Sequence, residues 1–295
     1  MTPVRHRTDG DGWVECECGQ RHWGLYGSAG LLLVDPEHGV LLQHRAEWSH
    51  HGGTWGVPGG ARASGEPAVD GALREAHEEA GIPPELVRPN HAWVEDHGSW
   101  SYTTVIADRA GAFEPYAADA ESLAVSWVVP ADVDTLPLHP GFAAYWPSIR
   151  EQMFRQLVLV VDAANVVGSR PDGWWLDRAG AAHRLRTRLA GAPPLPGAEL
   201  GLPGTYWWPQ VHLVVEGDAR DIDDEPTSSI TVERAAVNGD DTIVAAVAEA
   251  SIQRPDDHIV VATADRGLRE RVESHGAKTL GPRTLHGLIT RQART

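Results

Sequence analysis

Three carboxylates, Glu75, Glu78 and Glu79, stand close together in a segment whose apolar residues recur with a helical period. At about 100° per residue, Val69, Ala72, Leu73, Ala76 and Ala80 fall on one stripe while the glutamates gather on another face. Pro67 opens this helix and Gly81 stops it. Like charges spaced i, i+3 and i, i+4 oppose a helix by a few tenths of a kcal/mol per pair, so helix energetics give no reason for the trio. A divalent cation does: hard oxygen donors suit Mg2+ or Mn2+, which bridge phosphate oxygens and lower the pKa of an attacking water. A solvated acidic face is the competing interpretation of three glutamates taken alone.

A second acidic set lies further along the chain. Asp162 ends the apolar run Leu157 to Val161, Asp265 follows Ile259 to Ala262, and Asp240 and Asp241 open a helical segment through Val244 and Val247. Each has a plain structural role available, as a helix cap or a loop tie. Together they suggest a metal site, because three or four carboxylates at one sheet edge repel one another unless Mg2+ or Mn2+ joins them, and such sites activate water against phosphodiesters.

The elements that would carry these groups fall into two regimes. Before Phe154 the pattern mixes short strands (Ala29 to Val34, Gly39 to His44, Tyr102 to Ala107, Ala124 to Val129) with a glycine-rich loop from Gly52 to Gly60 and a helix from Phe142 to Phe154. After it, apolar strands at Leu157 to Val161, Val211 to Val215 and Ile259 to Ala262 alternate with helices around Arg178 to Leu189, Thr242 to Ala250 and Arg266 to Ser274, the signature of a parallel sheet covered on both faces. Gly191 to Gly204 and the acidic Gly217 to Pro226 are expected loops. Two domains follow, residues 1–154 with 1–24 as an N-terminal extension, and residues 155–295.

The net charge of −16 is unevenly shared: residues 1–152 hold 9 Arg against 22 acids, a balance of −13, and residues 153–295 hold 16 basic against 19 acidic residues, a balance of −3. So acidic a first half repels long nucleic acid but admits a small phosphorylated ligand at one metal-neutralised site. In the second half Arg184, Arg186 and Arg188, and Arg266, Arg269 and Arg271, offer local positive patches or solvated helix faces. Apolar runs too short to span a bilayer and the lack of an apolar signal core lead to the expectation of a cytoplasmic protein without membrane partners. Cys16, Cys18 and His22 form C-x-C-x3-H, with His6 upstream; structural zinc usually takes C-x2-C pairs and four ligands, so the spacing favours two ordinary thiols in a turn over zinc. His50 and His51 precede the glycine-rich loop, where the spacing favours plain loop residues over contacts to a phosphate. No G-x-S-x-G elbow and no P-loop occurs.

The arrangement Gly60, five residues, Glu66, seven residues, then Arg74-Glu75-Ala76-His77-Glu78-Glu79-Ala80-Gly81-Ile82 resembles the Nudix box at every defining position, and Trp55 to Gly60 is similar to the family's approach to it. The resemblance covers about residues 25–150. It implies an α/β/α sandwich with a mixed sheet, Glu75, Glu78 and Glu79 as metal ligands, the Gly60 carbonyl in the same metal shell, Arg74 holding a glutamate through a charge-assisted hydrogen bond, and Glu66 in support. The general base in such enzymes is often a glutamate outside the box, for which Glu121, ahead of the strand carrying Trp127, is the candidate. Trp23, Trp48, Trp55, Trp93 and Trp100 are available to stack on a base. No proline or tyrosine after the box matches the ADP-ribose or dinucleoside polyphosphate branches, which leaves a nucleoside triphosphate preferred.

Val161 to Gly168, Asp240 to Ile243 and Thr263 to Leu268 together resemble the NYN branch of PIN-like nucleases over about residues 157–290. That likeness implies a doubly wound parallel sheet, Asp162, Asp240, Asp241 and Asp265 as ligands of Mg2+ or Mn2+, Asn165 as a positioning residue, and RNA as partner. The expected whole is a pyrophosphohydrolase joined to a domain that cleaves or binds RNA. Two alternatives are a nucleotide-sensing Nudix domain that regulates its neighbour, and an RNA 5′-end pyrophosphohydrolase coupled to an endoribonuclease.

Overall fold

The computed structural model describes residues 8–171, 173–222 and 229–291, so His6 and part of the Gly217 to Pro226 segment lie outside the described residues. The chain divides into two compact units, one up to Phe154 and one from Arg155 onward. Among the described residues no helix is long and apolar enough to cross a membrane.

The first unit begins with a small antiparallel hairpin, β1 (Trp13–Glu15) and β2 (Arg21–Trp23). A mixed sheet follows, built from β3 (Ser28–Asp35), β4 (Gly39–Arg45), β5 (Trp55–Gly56) and β6 (Gly59–Ala61), then, after helix α1 (Ala68–Ala80), β7 (Val87–Asp96), β8 (Ser101–Arg109) and β9 (Ser122–Val128), with helix α2 (Pro140–Gln152) last. The strands run in the order β7-β8-β3-β4-β5, with β6 on β3 and β9 on β4. β3 and β8 pair in parallel and the other pairings are antiparallel, which makes the expected mixed sheet. Alternation along β3 sends Leu31 and Leu33 to the Ala72, Ala76 and Ala80 face of α1, and Leu32 and Val34 to Phe142, Trp146 and Ile149 of α2. Both faces are thus covered, giving the sandwich.

Helix α1 starts after Pro67 and ends on Gly81, whose left-handed conformation (φ 63°) is free of penalty for glycine and lets its amide reach the carbonyl oxygens of Ala76 and His77. Alanines at 72, 76 and 80 are fully buried, so the helix backbone packs close on the sheet and places its glutamates beside β6.

The second unit holds β10 (Leu157–Asp162), α3 (Ala163–Gly168), α4 (Arg178–Ala190), β11 (Leu195–Pro196), α5 (Gly197–Leu200), β12 (Tyr206–Trp207), β13 (Gln210–Val215), β14 (Ile230–Arg234), α6 (Gly239–Gln253), β15 (His258–Ala262), α7 (Arg266–Glu273), β16 (Lys278–Leu280) and α8 (Pro282–Thr290). Its five-stranded sheet, β14-β13-β10-β15-β16, is parallel throughout. β10, buried along its whole length, sends Leu157, Leu159 and Val161 into one core with Leu185 and Leu285, and Val158 and Val160 into another with Ile243 and Val247.

Two sequence expectations change here. Gly191 to Gly204 is not plain loop: Leu195 and Pro196 pair with Trp207 and Tyr206, and α5 lies between, because Leu195, Leu200 and Leu202 are drawn into the core around Trp207. Residues 217–221 of the acidic segment form a 3-10 turn.

Candidate active site

The α1 glutamates meet the glycine strand β6 at close range. Glu79 is buried (4% exposed), and its Oε2 accepts the Gly59 amide at 2.8 Å. Gly59 leaves no room for a side chain, since a Cβ there would stand 2.5 Å from the Ala29 carbonyl oxygen, and a Cβ on Gly60 would press on the Glu75 carboxylate at 2.7 Å.

Arg74 is the hub of the cluster. It donates through Nε and Nη2 to the two oxygens of Glu66 (2.8 and 2.9 Å), through Nη1 to Glu75 (2.6 Å) and Glu78 (3.4 Å), and through Nη2 to the Ala61 carbonyl (2.9 Å). Glu66 in turn accepts the Ala63 amide and is held below the ordinary carboxylate range, chiefly by the Arg74 hydrogen bond. Burial raises the Glu75 carboxyl to about 7 against the opposing pull of Arg74, with Glu78 and Glu121 adding like charge. Glu79 is raised well above the carboxylate range, first by burial and then by Glu75. These two carboxylates are crowded into a poorly solvated corner with too little positive charge.

The corner opens into a cavity of about 1380 Å3 lined by Gly60, Glu75, Glu78 and Glu79. Glu121 and Asp119 line it on one side, and Trp13, Trp23, Trp48, Trp93 and Trp100 supply aromatic wall. Of the tryptophans considered from sequence, Trp55 does not line it; its ring stacks on His44 at 4.8 Å.

A family profile for the NUDIX domain matches residues 25–152. A putative 8-oxo-dGTP diphosphatase 3 of Mycobacterium tuberculosis is 50% identical over 154 residues, 49% of this chain and 70% of that protein. The chain belongs to the Nudix family. It is also 49% identical over 156 residues to a nucleoside triphosphate pyrophosphatase/Nudix hydrolase fusion protein of Bifidobacterium longum, covering 50% of this chain but 32% of that protein. The crystal structure of a Nudix hydrolase from M. smegmatis, RenU, shares 49% identity over 48% of this chain and 94% of that chain, with a TM-score of 0.44. The first unit therefore carries the Nudix domain.

Several groups at the Nudix cavity were not singled out from sequence. Asp119 accepts the Glu121 amide (3.0 Å), while the Glu121 carbonyl accepts the Ala46 amide (2.8 Å), so this acidic loop is pinned at the cavity edge. His139 caps α2 by accepting the Gly141 amide at Nδ1 and is lowered to about 4, first by burial and then by Arg45. It meets His51 edge to face at 4.7 Å, and both line the cavity with His50. Trp13 and Glu95 also line it. None of these lies in a recognisable local motif, and only chain folding brings them to the Nudix box.

In the second unit the acids sit at the carboxyl ends of the parallel strands. Asp162 Oδ1 accepts the Asn165 amide (3.0 Å), its Oδ2 accepts Thr263 Oγ1 (2.9 Å), and Asn165 Oδ1 accepts the Ala264 amide (2.8 Å), so β10 and β15 are tied together at their ends. Asp265 Oδ1 caps α7 through the Leu268 amide at 2.7 Å. Burial raises Asp162, and Asp240 and Glu216 raise it further. Asp240 is raised by burial and then by Asp265. Asp162, Glu216, Asp240 and Asp265 therefore feel one another, and Glu216, after β13, is the member that sequence inspection missed. Asp241 turns to Arg271 instead, at 2.6 Å. Neither Asp240 nor Asp241 caps α6: Asn238 does, accepting the Asp240 amide at 2.8 Å. Of the arginines noted in sequence, Arg184 pairs with Asp177, Arg266 with Glu270 and Arg271 with Asp241, while Arg186 is buried.

Proposed function

We propose that the Nudix unit hydrolyses a pyrophosphate linkage of a nucleoside triphosphate, with Glu75, Glu78 and Glu79 as ligands of a divalent cation and the Gly60 carbonyl beside them. The carboxylate cluster in the wall of a roomy, aromatic-lined cavity carries this proposal. The residues suit the ion: burial and mutual repulsion raise Glu75 to about 7 and Glu79 well above the ordinary carboxylate range, and a hard dication relieves both. Bound there, Mg2+ or Mn2+ would offset diphosphate charge and acidify a water.

The chain's own groups do the rest. Arg74, braced by Glu66, fixes Glu75 and Glu78, and the Gly59 amide fixes Glu79. Glu121, at the cavity edge near Glu75, accepts the proton of the attacking water. The tryptophan wall stacks on the base, and Trp93 Nε1, buried and without a hydrogen-bond partner, is a donor available to a base acceptor. The two relatives, named as a putative 8-oxo-dGTP diphosphatase and a nucleoside triphosphate pyrophosphatase fusion, support a triphosphate over ADP-ribose.

The test is a phosphate and pyrophosphate release screen with Mg2+ over normal and oxidised nucleoside triphosphates, ADP-ribose, dinucleoside polyphosphates and triphosphorylated RNA, using the intact chain and Glu78→Gln. Triphosphate turnover that the variant lacks supports the proposal. Nucleotide binding without release from the intact chain would make the unit a sensor instead.

We further infer that the second unit is a PIN-like, metal-dependent ribonuclease. Its support is the parallel order β14-β13-β10-β15-β16, whose connections reverse direction beside β10, together with Asp162, Glu216, Asp240 and Asp265 at that edge. Asn165 positions the β15 loop. Cleavage of labelled single-stranded RNA with Mn2+ by the wild type and not by Asp162→Asn is the expected result; RNA left intact by the wild type would refute it.

A further inference from the structure

We propose that Cys16, Cys18, His22 and His97 form a structural zinc site that locks the β1–β2 hairpin against the turn between β7 and β8. The C-x-C-x3-H spacing weighed against zinc because it offers three ligands and an unusual pair. Folding supplies the fourth: His97, 81 residues beyond Cys16, is carried in by the β7–β8 turn, and one ligand atom from each of the four residues lies within 4.8 Å of the others. Tetrahedral zinc, with Zn–S of about 2.3 Å and Zn–N of about 2.0–2.1 Å, requires ligand atoms about 3.4–3.8 Å apart. Cys18 Sγ and His22 Nε2 are already 3.2 Å apart, so the observed cluster reaches that geometry through small side-chain adjustments.

The surroundings are those of thiolate and imidazole ligands. The backbone amides of Cys18 and Gln20 point to the sulfurs of Cys16 and Cys18 respectively, and Ser99 Oγ donates to Cys16 Sγ at 3.5 Å. His97 Nε2 lies 2.7 Å from Glu95 Oε1, which leaves Nδ1 as the metal ligand and completes a carboxylate–histidine–metal relay. The His22 ring is held by stacking on Trp100 at 4.0 Å with 9° between planes. Binding would release two thiol protons and yield a neutral centre of two thiolates, two neutral imidazoles and one Zn2+.

The hairpin has a physical need for such a staple. β1 and β2 have three residues each, pair only with one another, and leave Trp13 and Trp23 substantially exposed. A two-stranded hairpin of this size is marginal in water without further packing or a cross-link. Yet Trp13, Gln20, Arg21, His22 and Trp23 make up one wall of the Nudix cavity. The zinc therefore sets the position of that wall. The other histidine group, His50, His51 and His139, has three members with two exposed, and His139 Nδ1 is already engaged by the Gly141 amide.

The test is metal content of the full chain, purified without chelator, equilibrated with one equivalent of Zn2+ and desalted, by plasma mass spectrometry, alongside Co2+ reconstitution read by absorption. One zinc per chain, retained in Glu78→Gln, lost in the Cys16→Ser/Cys18→Ser double variant and weakened at least about 10-fold in His97→Ala, supports the site. Tetrahedral d–d bands with a thiolate-to-cobalt charge-transfer band in the wild type give the same support should the double variant fail to fold. A wild type without stoichiometric zinc, a Co2+ spectrum lacking the sulfur band, or zinc that survives the double variant but not His139→Ala would overturn it. All of these readouts are independent of nucleotide turnover.

Discussion

Lowering the pH should expel the divalent cation from the Nudix cluster while stabilising the metal-free fold. The Glu75 carboxyl, 15% exposed, is raised from its ordinary 4.5 to about 7, chiefly by burial. A carboxyl raised in the folded state binds its proton more tightly there than in the unfolded chain, so metal-free stability falls as pH rises from about 4.5 to about 7 and levels off above. A shift of that size is worth about 3 kcal/mol, at 1.36 kcal/mol per pKa unit. For a unit of this size each kcal/mol moves Tm by about 2–4 °C, so metal-free protein should melt several degrees lower at pH 8 than at pH 5.5. Metal binding must displace the Glu75 proton, so below pH 7 the Mn2+ affinity should fall about 10-fold per pH unit, and more steeply if Glu79, also raised, is displaced with it. Titration calorimetry of Mn2+ into the intact chain between pH 5.5 and 8.5, paired with melting curves in chelator, reads both quantities. Glu75→Gln should raise the metal-free Tm at pH 8, since an amide carries no charge to desolvate, while abolishing tight Mn2+ binding. A Mn2+ affinity flat across this range, or a metal-free Tm that rises with pH, would refute the linkage.

Arg74→Ala, which frees Glu66, Glu75 and Glu78 at once, should lower kcat/KM for the best substrate by about 10- to 100-fold, measured by pyrophosphate release. Gly60→Ala would drive a methyl to 2.7 Å from Glu75 Oε2, and Mn2+ titration should register at least a comparable loss of affinity. Leu159→Ala, in the central strand of the second unit, should cost about 2–5 kcal/mol in that unit's urea midpoint transition. Asp162→Ala should destabilise the same unit less, by about 1 kcal/mol for the lost α3 cap, with the freed Thr263 hydroxyl adding to it.

Local sequence carried the elements whose signal is periodic. The alanine stripe and Pro67/Gly81 punctuation located α1, alternating and continuous apolar runs located β3, β4, β8, β10, β13 and β15, and the spacing of Gly60, Glu66, Arg74 and the glutamates marked the box. Those features lie within one helix or strand, where the repeat of the backbone itself dictates which side chains share a face. Burial depth was not available in that way: nothing in the spacing distinguishes Glu79, enclosed against the Gly59 amide, from Glu78, which stays partly exposed. Nor was the partner of Asp241, since Arg271 belongs to a different helix. The short pairing of β11 with β12 escaped because two-residue strands have no period to detect.

The chain alone thus determined its helix faces, its strand order of appearance and its glutamate box, because each is written in neighbouring residues. Tertiary folding decided which distant groups meet: Glu121 near Glu75 and Asp119 near Glu79, Glu216 among the aspartates, and His97 beside Cys16, Cys18 and His22. Such encounters depend on strand register and turn position over tens of residues, and on the burial that makes their charges matter.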